Sequence, residues 1–477
     1  MKTRVLAATV LIAACTCVAP LGAMAQEGPG LAQMLRLVPD DQRTYRAWQL
    51  FSYIDFRAVE TAAGLPHPEA EVPPLTGNEA ELFDDWPEER RQAWRNNLAR
   101  ITAGPIDLIA YARERESMAD RMADATGVDL FAIDRALTFW DYPPVSLYAG
   151  APPIADVAAM NTWSDLTSRG YALDRSDAVP VWHRFADDMS VAMLSDRGSA
   201  ADPFDGDALY SVRLAVLPDL LVNARNWPDL RRVLGLHADG GGSIAPLVEP
   251  MVEAVLALDG VEGRVLQAWA APLAVLAHRQ MSVEALMAGL TAEPDVPLPD
   301  AATLERMLAE GAPEIGPLPP YPLALFVDLQ AGSDQVHAMV LPYADRERAE
   351  AAARIVGGRL ETWMPEGGPT AEPVVAALSG SVETLVVDVP ELATAVGLSF
   401  LRQVGGASDD DRAAVRDGTA GVDGAVAVIA VRYPMPQDLS QPLDLVAGTG
   451  GPGSLGRIWI AWLEAAIEAR FTPLAVP

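Results

Sequence analysis

Cysteine is nearly absent from this sequence, and its distribution excludes several kinds of chemistry. The only two cysteines, Cys15 and Cys17, lie within the first 25 residues. If that segment is an export signal, the mature chain contains no cysteine. Disulfides, thiolate nucleophiles and cysteine-ligated zinc or iron–sulfur sites are then excluded. The hydrophobic core must stabilise the fold by itself.

Lysine is equally scarce, since Lys2 is the only one and every other basic residue is arginine. Loss of the N-terminus would therefore exclude lysine as a Schiff base, phosphate-loop residue or general base. The 35 basic residues face 65 acidic ones, which gives a formal net charge of −30. Nucleic acid and anionic lipid headgroups both require clustered basic residues, so neither is an expected partner.

Histidine pairs and hydrolase signatures are also missing. The five histidines are His67, His183, His237, His278 and His337. No two of them stand four residues apart and no H-E-x-x-H occurs, so a zinc site is not indicated. The G-x-S-x-G nucleophile elbow is absent as well. His183 and His337 lie in predicted strands and remain candidate polar residues, for which we favour a structural role over catalysis.

One glycine-rich segment, residues 448–453, matches the dinucleotide-binding pattern G-x-G-x-x-G. That fold also needs a strand with an acidic residue about 20 positions later. The sequence after the segment predicts a helix and leaves no room for such a unit. We therefore interpret the segment as a loop before a helix and expect no cofactor.

The first 25 residues predict an export signal. Lys2 and Arg4 supply positive charge, Val5–Ala14 is a suitable apolar run, and Ala23–Ala25 forms a small-x-small cleavage site. The alternative is a lipobox ending at Cys15, which would then carry a lipid anchor. The expected location is periplasmic or secreted. A membrane-spanning helix needs about 18 consecutive apolar residues, and no later segment offers such a run.

Proline-rich stretches divide the rest of the chain into two α+β halves. The predicted boundaries are 1–25 for the signal peptide, 26–242 for the first half with a helical insertion at 79–124, 243–320 for a helical and proline-rich connector, and 321–477 for the second half. The order of strands and helices recurs, which suggests an internal duplication. Each half is expected to be an antiparallel or mixed sheet with helices on one face, of ferredoxin-like or split βαβ type. Chance recurrence of a common order is the alternative.

Local patterns predict the individual elements. Strands are expected at 50–56, 145–149, 212–217, 220–224, 323–329, 336–341 and 384–388, and helices at 30–38, 57–63, 227–240, 243–258, 345–356 and 391–401. Residues 129–137 resemble an amphipathic turn, and 264–276 are ambiguous. Residues 358–363 hold the same place in the second half as a strand expected at 170–174 holds in the first half.

A resemblance to other proteins is carried by VDLFAIDRALTF at 128–139, PPVSLYAG at 143–150, a predicted helix and Gly170-Tyr171. This run resembles exported bacterial proteins of no assigned function. The resemblance covers residues 125–185 and implies an exported location. It does not imply an activity, and it identifies no functional residue.

Two acidic groups are candidate sites. Asp202, Asp205 and Asp207 could supply oxygen ligands for calcium, although their spacing is not that of an EF-hand. Asp134 and Asp141 could form a glycosidase-type pair, which needs carboxyl groups about 5–10 Å apart. In so acidic a chain, solvated surface carboxylates are the favoured alternative for both groups.

These observations predict an exported cell-envelope protein with a binding or scaffold role and no enzymatic activity. The alternative is a periplasmic or extracellular hydrolase that uses paired carboxylates. The sequence does not identify a partner. An envelope component or a small ligand held between the two halves is expected.

Overall fold

A computed structural model describes residues 30–47, 49–62, 133–140, 144–150, 171–175, 178–183, 213–224, 226–261, 264–273, 318–364, 373–404 and 408–434, with the single residues 167 and 474. Several predictions fall outside these residues: the signal peptide, the lipobox at Cys15, the insertion at 79–124, Asp141, the calcium candidates Asp202, Asp205 and Asp207, and the glycine-rich segment 448–453.

The described chain alternates between helices and strands. The helices are α1 Leu31–Leu35, α2 Gln42–Arg46, α3 Phe56–Ala62, α4 Trp227–Asp239, α5 Ala245–Leu256, α6 Arg346–Thr362, α7 Val374–Ala377, α8 Leu392–Val404 and α9 Asp409–Thr419. The strands are β1 Phe51–Asp55, β2 Ile133–Phe139, β3 Val145–Gly150, β4 Ala172–Asp174, β5 Val181–His183, β6 Arg213–Val216, β7 Leu221–Ala224, β8 Val265–Pro272, β9 Leu323–Ala331, β10 Asp334–Tyr343, β11 Ser381–Val389 and β12 Gly424–Pro434.

All twelve strands belong to one antiparallel sheet, in the order β11-β12-β10-β9-β8-β1-β2-β3-β7-β6-β5-β4. The chain is therefore an α+β protein, as predicted. The expected halves do not have separate sheets, because β8, from the predicted connector 243–320, joins them. It pairs with β1 from Phe51 opposite Ala270 to Ile54 opposite Gln267, and on its other side with β9. Outward from this central pair, five strands follow the same order on each side: β1-β2-β3-β7-β6 and β8-β9-β10-β12-β11.

Helices pack on both faces of the sheet, whereas the sequence predicted helices on one face. The front face carries α1, α4, α5 and α8, and the back face carries α6 and α7. The reason is visible in β10 and β12, whose long apolar runs are buried on both sides. Such strands need cover on each face to remove their side chains from water.

Local capping explains where a predicted helix begins and ends. The Asn226 side chain accepts a hydrogen bond from the Asp229 amide, and Pro228 occupies the first turn of α4. The helix ends at Gly240, whose φ of +69° is in the left-handed region that glycine adopts most readily.

Three segments differ from the predictions. Residues 133–137 are not a turn but part of β2, where Ala136 and Leu137 point to opposite faces and both are buried. The ambiguous segment forms the central strand β8. Residues 358–362 continue α6 because Val356 and Leu360, four positions apart, are both buried in the back-face core.

Candidate functional site

Four neighbouring strands each place one polar residue in the same lateral row on the back face. Ser52 lies opposite Thr138, Thr138 opposite Ser146, and Ser146 opposite Asn223. Their sheet neighbours Phe51, Leu137, Phe139, Leu147 and Val222 belong to the front-face core. Because side chains alternate along a strand, the four polar residues face the back. We call them the hydroxyl row, and each is at most 3% exposed.

The hydroxyl row is only partly hydrogen-bonded. The hydroxyl groups of Thr138 and Ser146 lie 2.9 Å apart and share a hydrogen bond. At the two ends, Ser52 Oγ and Asn223 Oδ1 have no hydrogen-bond partner in the described part of the chain. An unsatisfied buried polar group costs about 1–3 kcal/mol, so each one calls for an explanation.

Strands β8, β9 and β10, on the other side of the central β1/β8 pair, carry a corresponding row on the back face. Gln267 lies opposite Asp328, and Asp328 opposite His337. Gln335 precedes His337 by two residues and therefore faces the same side. We call these four residues the acidic row. None is more than 2% exposed.

The Asp328 carboxylate is the centre of the acidic row. Gln267 Nε2 donates to Asp328 Oδ2 at 3.3 Å, and Gln335 Nε2 donates to Oδ1. His337 Nε2 lies 3.2 Å from the same Oδ1. Each glutamine therefore uses its side-chain amide nitrogen to donate to Asp328. Their carbonyl oxygens, Gln267 Oε1 and Gln335 Oε1, have no hydrogen-bond partner among the described residues.

A buried tyrosine completes the acidic row on its outer side. The Tyr433 hydroxyl is 3.5 Å from His337 Nε2, and the two rings meet edge to face. Burial, and secondarily the negative charge of Asp328, raise the pKa of Tyr433 well above its ordinary value. The hydroxyl therefore remains protonated at physiological pH and can donate a hydrogen bond.

The two rows occupy equivalent places about the centre of the sheet. Tyr53 pairs with Ala268, while Ser52 pairs with Trp269 and Ile54 pairs with Gln267. A two-fold axis through the Tyr53–Ala268 pair, perpendicular to the sheet, exchanges β1 with β8. That rotation brings the first three residues of the hydroxyl row onto Gln267, Asp328 and His337, which also face the back. The fourth, Asn223, falls on the apolar Val431.

The two candidate histidines have different surroundings. His337 is completely buried in the acidic row. His183 is half-buried at the end of β5, where its ring packs edge to face on Trp227 at 5.1 Å. The residue that corresponds to His337 in the first half is Ser146 and not His183. The structure therefore does not bring the two histidines together.

Asp134 is buried at the start of β2 and forms an ion pair with Arg57 at 2.6 Å. Beside it, Asp55 pairs with Arg135 at 2.8 Å and accepts a hydrogen bond from the Ala58 amide at 2.8 Å. These contacts attach α3 to β1 and β2. The arrangement is that of a structural joint, in which arginines neutralise both carboxylates.

A further acid, which the sequence did not single out, lies on the front face. Burial raises the pKa of Asp40 to about 6, against the opposing effect of its ion pair with Arg402 at 2.5 Å. Asp41 follows directly and pairs with Arg232 at 2.6 Å. A carboxyl group with a pKa near neutrality can exchange protons under physiological conditions.

Metal ligation finds no support in the described part of the chain, where no group of three or more His, Cys, Asp or Glu residues could hold an ion. No described helix is long and apolar enough to cross a membrane.

Comparisons with known proteins add no family to these observations. No family model matches the chain, and neither a curated protein nor a solved structure matches it.

Proposed function

We propose that this chain is an exported cell-envelope protein that binds a small polar ligand between its two halves and does not act as an enzyme. The observation that carries this proposal is the set of unpaired buried oxygens on the back face. They belong to Ser52, Asn223, Gln267 and Gln335. Two of them, on Ser52 and Gln267, lie on the central strands where the halves meet.

The chemistry of these oxygens defines the ligand. Amide oxygens only accept hydrogen bonds, and the Ser52 hydroxyl can accept or donate. The site therefore fits a small molecule with several O–H or N–H donors, such as a polyol or an amine. Ser52 and Gln267 are diagonal neighbours across the β1/β8 pair, about 7–8 Å apart by sheet geometry. A ligand of a few heavy atoms spans that distance.

Trp269 supplies an apolar wall for the same position. It lies opposite Ser52, and its indole Nε1 donates to Gln49 Oε1 at 3.2 Å. The ring centroid is 5.3 Å from that of Phe326 on the next strand. A flat aromatic surface beside a few fixed polar atoms is typical of small-molecule sites.

Native mass spectrometry of the chain, purified without denaturation from cells that export it, tests the proposal. We expect an adduct on the natural chain, and its loss when Ser52→Ala and Gln267→Leu are combined. The matched control combines Ser381→Ala with Gln330→Leu, whose positions are outside the two rows, and should keep the adduct. Ligand binding would be refuted by two results together: spectra that show only the chain without an adduct, and a melting temperature that no polyol or amine of a test panel raises. The same spectra report the N-terminus, expected at Gln26, with a lipidated Cys15 as the contrary result.

We further propose that the two halves are copies of one unit of split βαβ type, joined edge to edge at β1 and β8. Support comes from the matching order of five strands and from the equivalent places of the two rows. A crystal structure in which β1, β2, β3 and β7 superpose on β8, β9, β10 and β12 would agree with duplication. Failure of these strands to superpose would contradict it.

A hydrolase that uses paired carboxylates is the second candidate, favoured by the raised pKa of Asp40 and the adjacent Asp41. An assay with chromogenic esters and glycosides separates the two functions. The binding proposal predicts no turnover. Turnover that is abolished by Asp40→Asn and retained by Asp239→Asn would replace it.

A further inference from the structure

Two buried amide oxygens without a hydrogen-bond partner lie beside the Asp328 carboxyl group. They are Gln267 Oε1 and Gln335 Oε1, and no described residue donates to either of them. The nitrogen of each amide donates to Asp328. An amide oxygen is only about 2.2 Å from the nitrogen of its own group, so both oxygens border the carboxyl group. The acidic row thus gathers three oxygen-bearing groups at one place, and two of them can still accept hydrogen bonds.

The absence of an arginine partner distinguishes Asp328 from two other buried acids of the sheet. Asp55 and Asp134 each form an ion pair with an arginine, at 2.8 Å and 2.6 Å. Asp328 has no arginine partner among the described residues, and the basic side chain beside it is that of His337. Buried carboxylates in proteins are paired with a cation or coordinate a metal. A cationic ligand would give Asp328 the counter-charge that arginines give to Asp55 and Asp134.

We propose that the ligand of the back-face site is a primary organic ammonium ion, held at the acidic row by Asp328, Gln267 and Gln335. This inference rests on the proposed binding function and narrows the ligand to one chemical class. An ammonium group has three N–H donors and no lone pair, so it can donate to all three oxygen-bearing groups at once. Its charge also favours the ionised carboxylate, in which both oxygens accept hydrogen bonds.

A polyol hydroxyl fits the same oxygens less well than an ammonium group does. It has one donor and two lone pairs, and the lone pairs need donors of their own. Acceptor oxygens cannot satisfy these lone pairs, and a buried polar atom without a partner lowers the affinity. Hydrogen bonds from a charged donor to a carboxylate are also shorter and stronger than those between neutral groups. The acidic row should therefore select an amine over an alcohol of the same size.

The rest of the ligand is expected to extend from the acidic row towards Ser52. This serine lies opposite Trp269, which is two residues from Gln267 and therefore on the same face of β8. The indole ring of Trp269 offers an apolar wall, and the face of such a ring attracts cations. The Ser52 hydroxyl can donate to or accept from a polar group at the far end of the ligand. A short amino alcohol combines these features.

Isothermal titration calorimetry of the full chain, freed of its natural ligand by dialysis, compares ethanolamine with ethylene glycol. These probes differ only in the replacement of one ammonium group by a hydroxyl. We expect ethanolamine to bind at least about 10-fold more tightly at pH 7. Asp328→Asn should abolish this preference, whereas Asp239→Asn, which removes the same charge at an exposed position of α4, should preserve it. A preference for ethanolamine that survives Asp328→Asn would overturn the proposal.

The natural adduct tests the ligand class without any variant. The accurate mass of the molecule released by denaturation should fit a formula that contains nitrogen, and dansyl chloride, which reacts with primary amines, should label it. A released molecule that dansyl chloride does not label would overturn the ammonium class and leave ligand binding standing. An affinity for ethylene glycol equal to or greater than that for ethanolamine would have the same meaning. A chain that carries no adduct and binds neither probe would refute both the ammonium class and the proposed binding function.

Discussion

The hydroxyl row and the acidic row occupy equivalent places in one sheet but stabilise their polar groups differently. Ser52, Thr138 and Ser146 are neutral, and a single hydrogen bond joins the last two. Asp328 instead is a carboxyl group that accepts hydrogen bonds from both glutamines, and its Oδ1 lies 3.2 Å from His337 Nε2. The fold thus constrains where buried polar residues lie but not which polar chemistry fills these places. Both rows nevertheless leave unpaired oxygens, which is the feature they share.

The largest expected difference between the rows follows from removing the carboxylate. Asp328→Ala leaves several buried donors without their acceptor, which should lower the free energy of unfolding by about 3–5 kcal/mol. Urea denaturation measures the loss. Asp328→Asn keeps the size and one acceptor oxygen and should lose less. A loss below about 1 kcal/mol for Asp328→Ala would mean that the acidic row is no better connected than the hydroxyl row.

Asp40 is a second buried carboxyl group, and its contribution to stability should depend on pH. Its folded pKa of about 6 lies above the ordinary value of 3.8 for an aspartate, so the folded state binds the proton more tightly than the unfolded state. This contribution to stability is full below about pH 4, falls as the pH rises, and is lost above about pH 6. Its size is on the order of 3 kcal/mol.

Asp40→Asn should remove that dependence. The difference in unfolding free energy between the natural chain and the variant should change by on the order of 3 kcal/mol between pH 4 and pH 7, in the direction that favours the natural chain at low pH. Urea denaturation at the two pH values measures it, and Asp239→Asn on the surface of α4 is the control. A constant difference between the natural chain and Asp40→Asn would refute the assignment.

Thr138→Val should have a smaller effect than Asp328→Ala at the matching strand position. The change keeps the shape of the side chain and removes one hydrogen bond with Ser146, so we expect a loss of about 1 kcal/mol. Urea denaturation reports it directly. A loss as large as that of Asp328→Ala would show that the two rows depend equally on their polar contacts.

Ser52→Ala should have the smallest effect on the stability of the ligand-free chain. Its Oγ has no described partner, so replacement should change the free energy of unfolding by less than about 0.5 kcal/mol or raise it slightly. Ser146→Ala, in the same row, breaks a hydrogen bond and should cost about 1 kcal/mol. A greater cost at Ser52 than at Ser146 would mean that the Ser52 hydroxyl is already satisfied by the protein.

Local sequence patterns predicted most described elements because the signals are short-range. The apolar run of β9 and the proline at the first turn of α4 are examples. The signals failed where the local pattern was ambiguous or misleading. The alanine-rich β8 is compatible with helix or strand, and the glycines at 357 and 358 suggested that α6 ends before Thr362. Gly357 instead permits close packing, since a Cβ there would lie 3.1 Å from Thr384 Cγ2.

The candidate site was much harder to predict. His337 and Asp328 stand out as polar residues within apolar strands, and the sequence identified the first of them. Ser52 and Thr138 give no such signal, because hydroxyl residues are common at any position. The register of β1 on β8 joins residues more than 200 positions apart in sequence. No local pattern specifies such a pairing, so the row could not be assembled from the sequence.

A crystal structure of the chain purified without refolding, at a resolution that shows ordered water, tests ligand binding most directly. We predict continuous density for one organic molecule within hydrogen-bond distance of Ser52 Oγ and Gln267 Oε1, bordered by Trp269. Separate water molecules at these atoms, or protein side chains that satisfy both, would contradict the account.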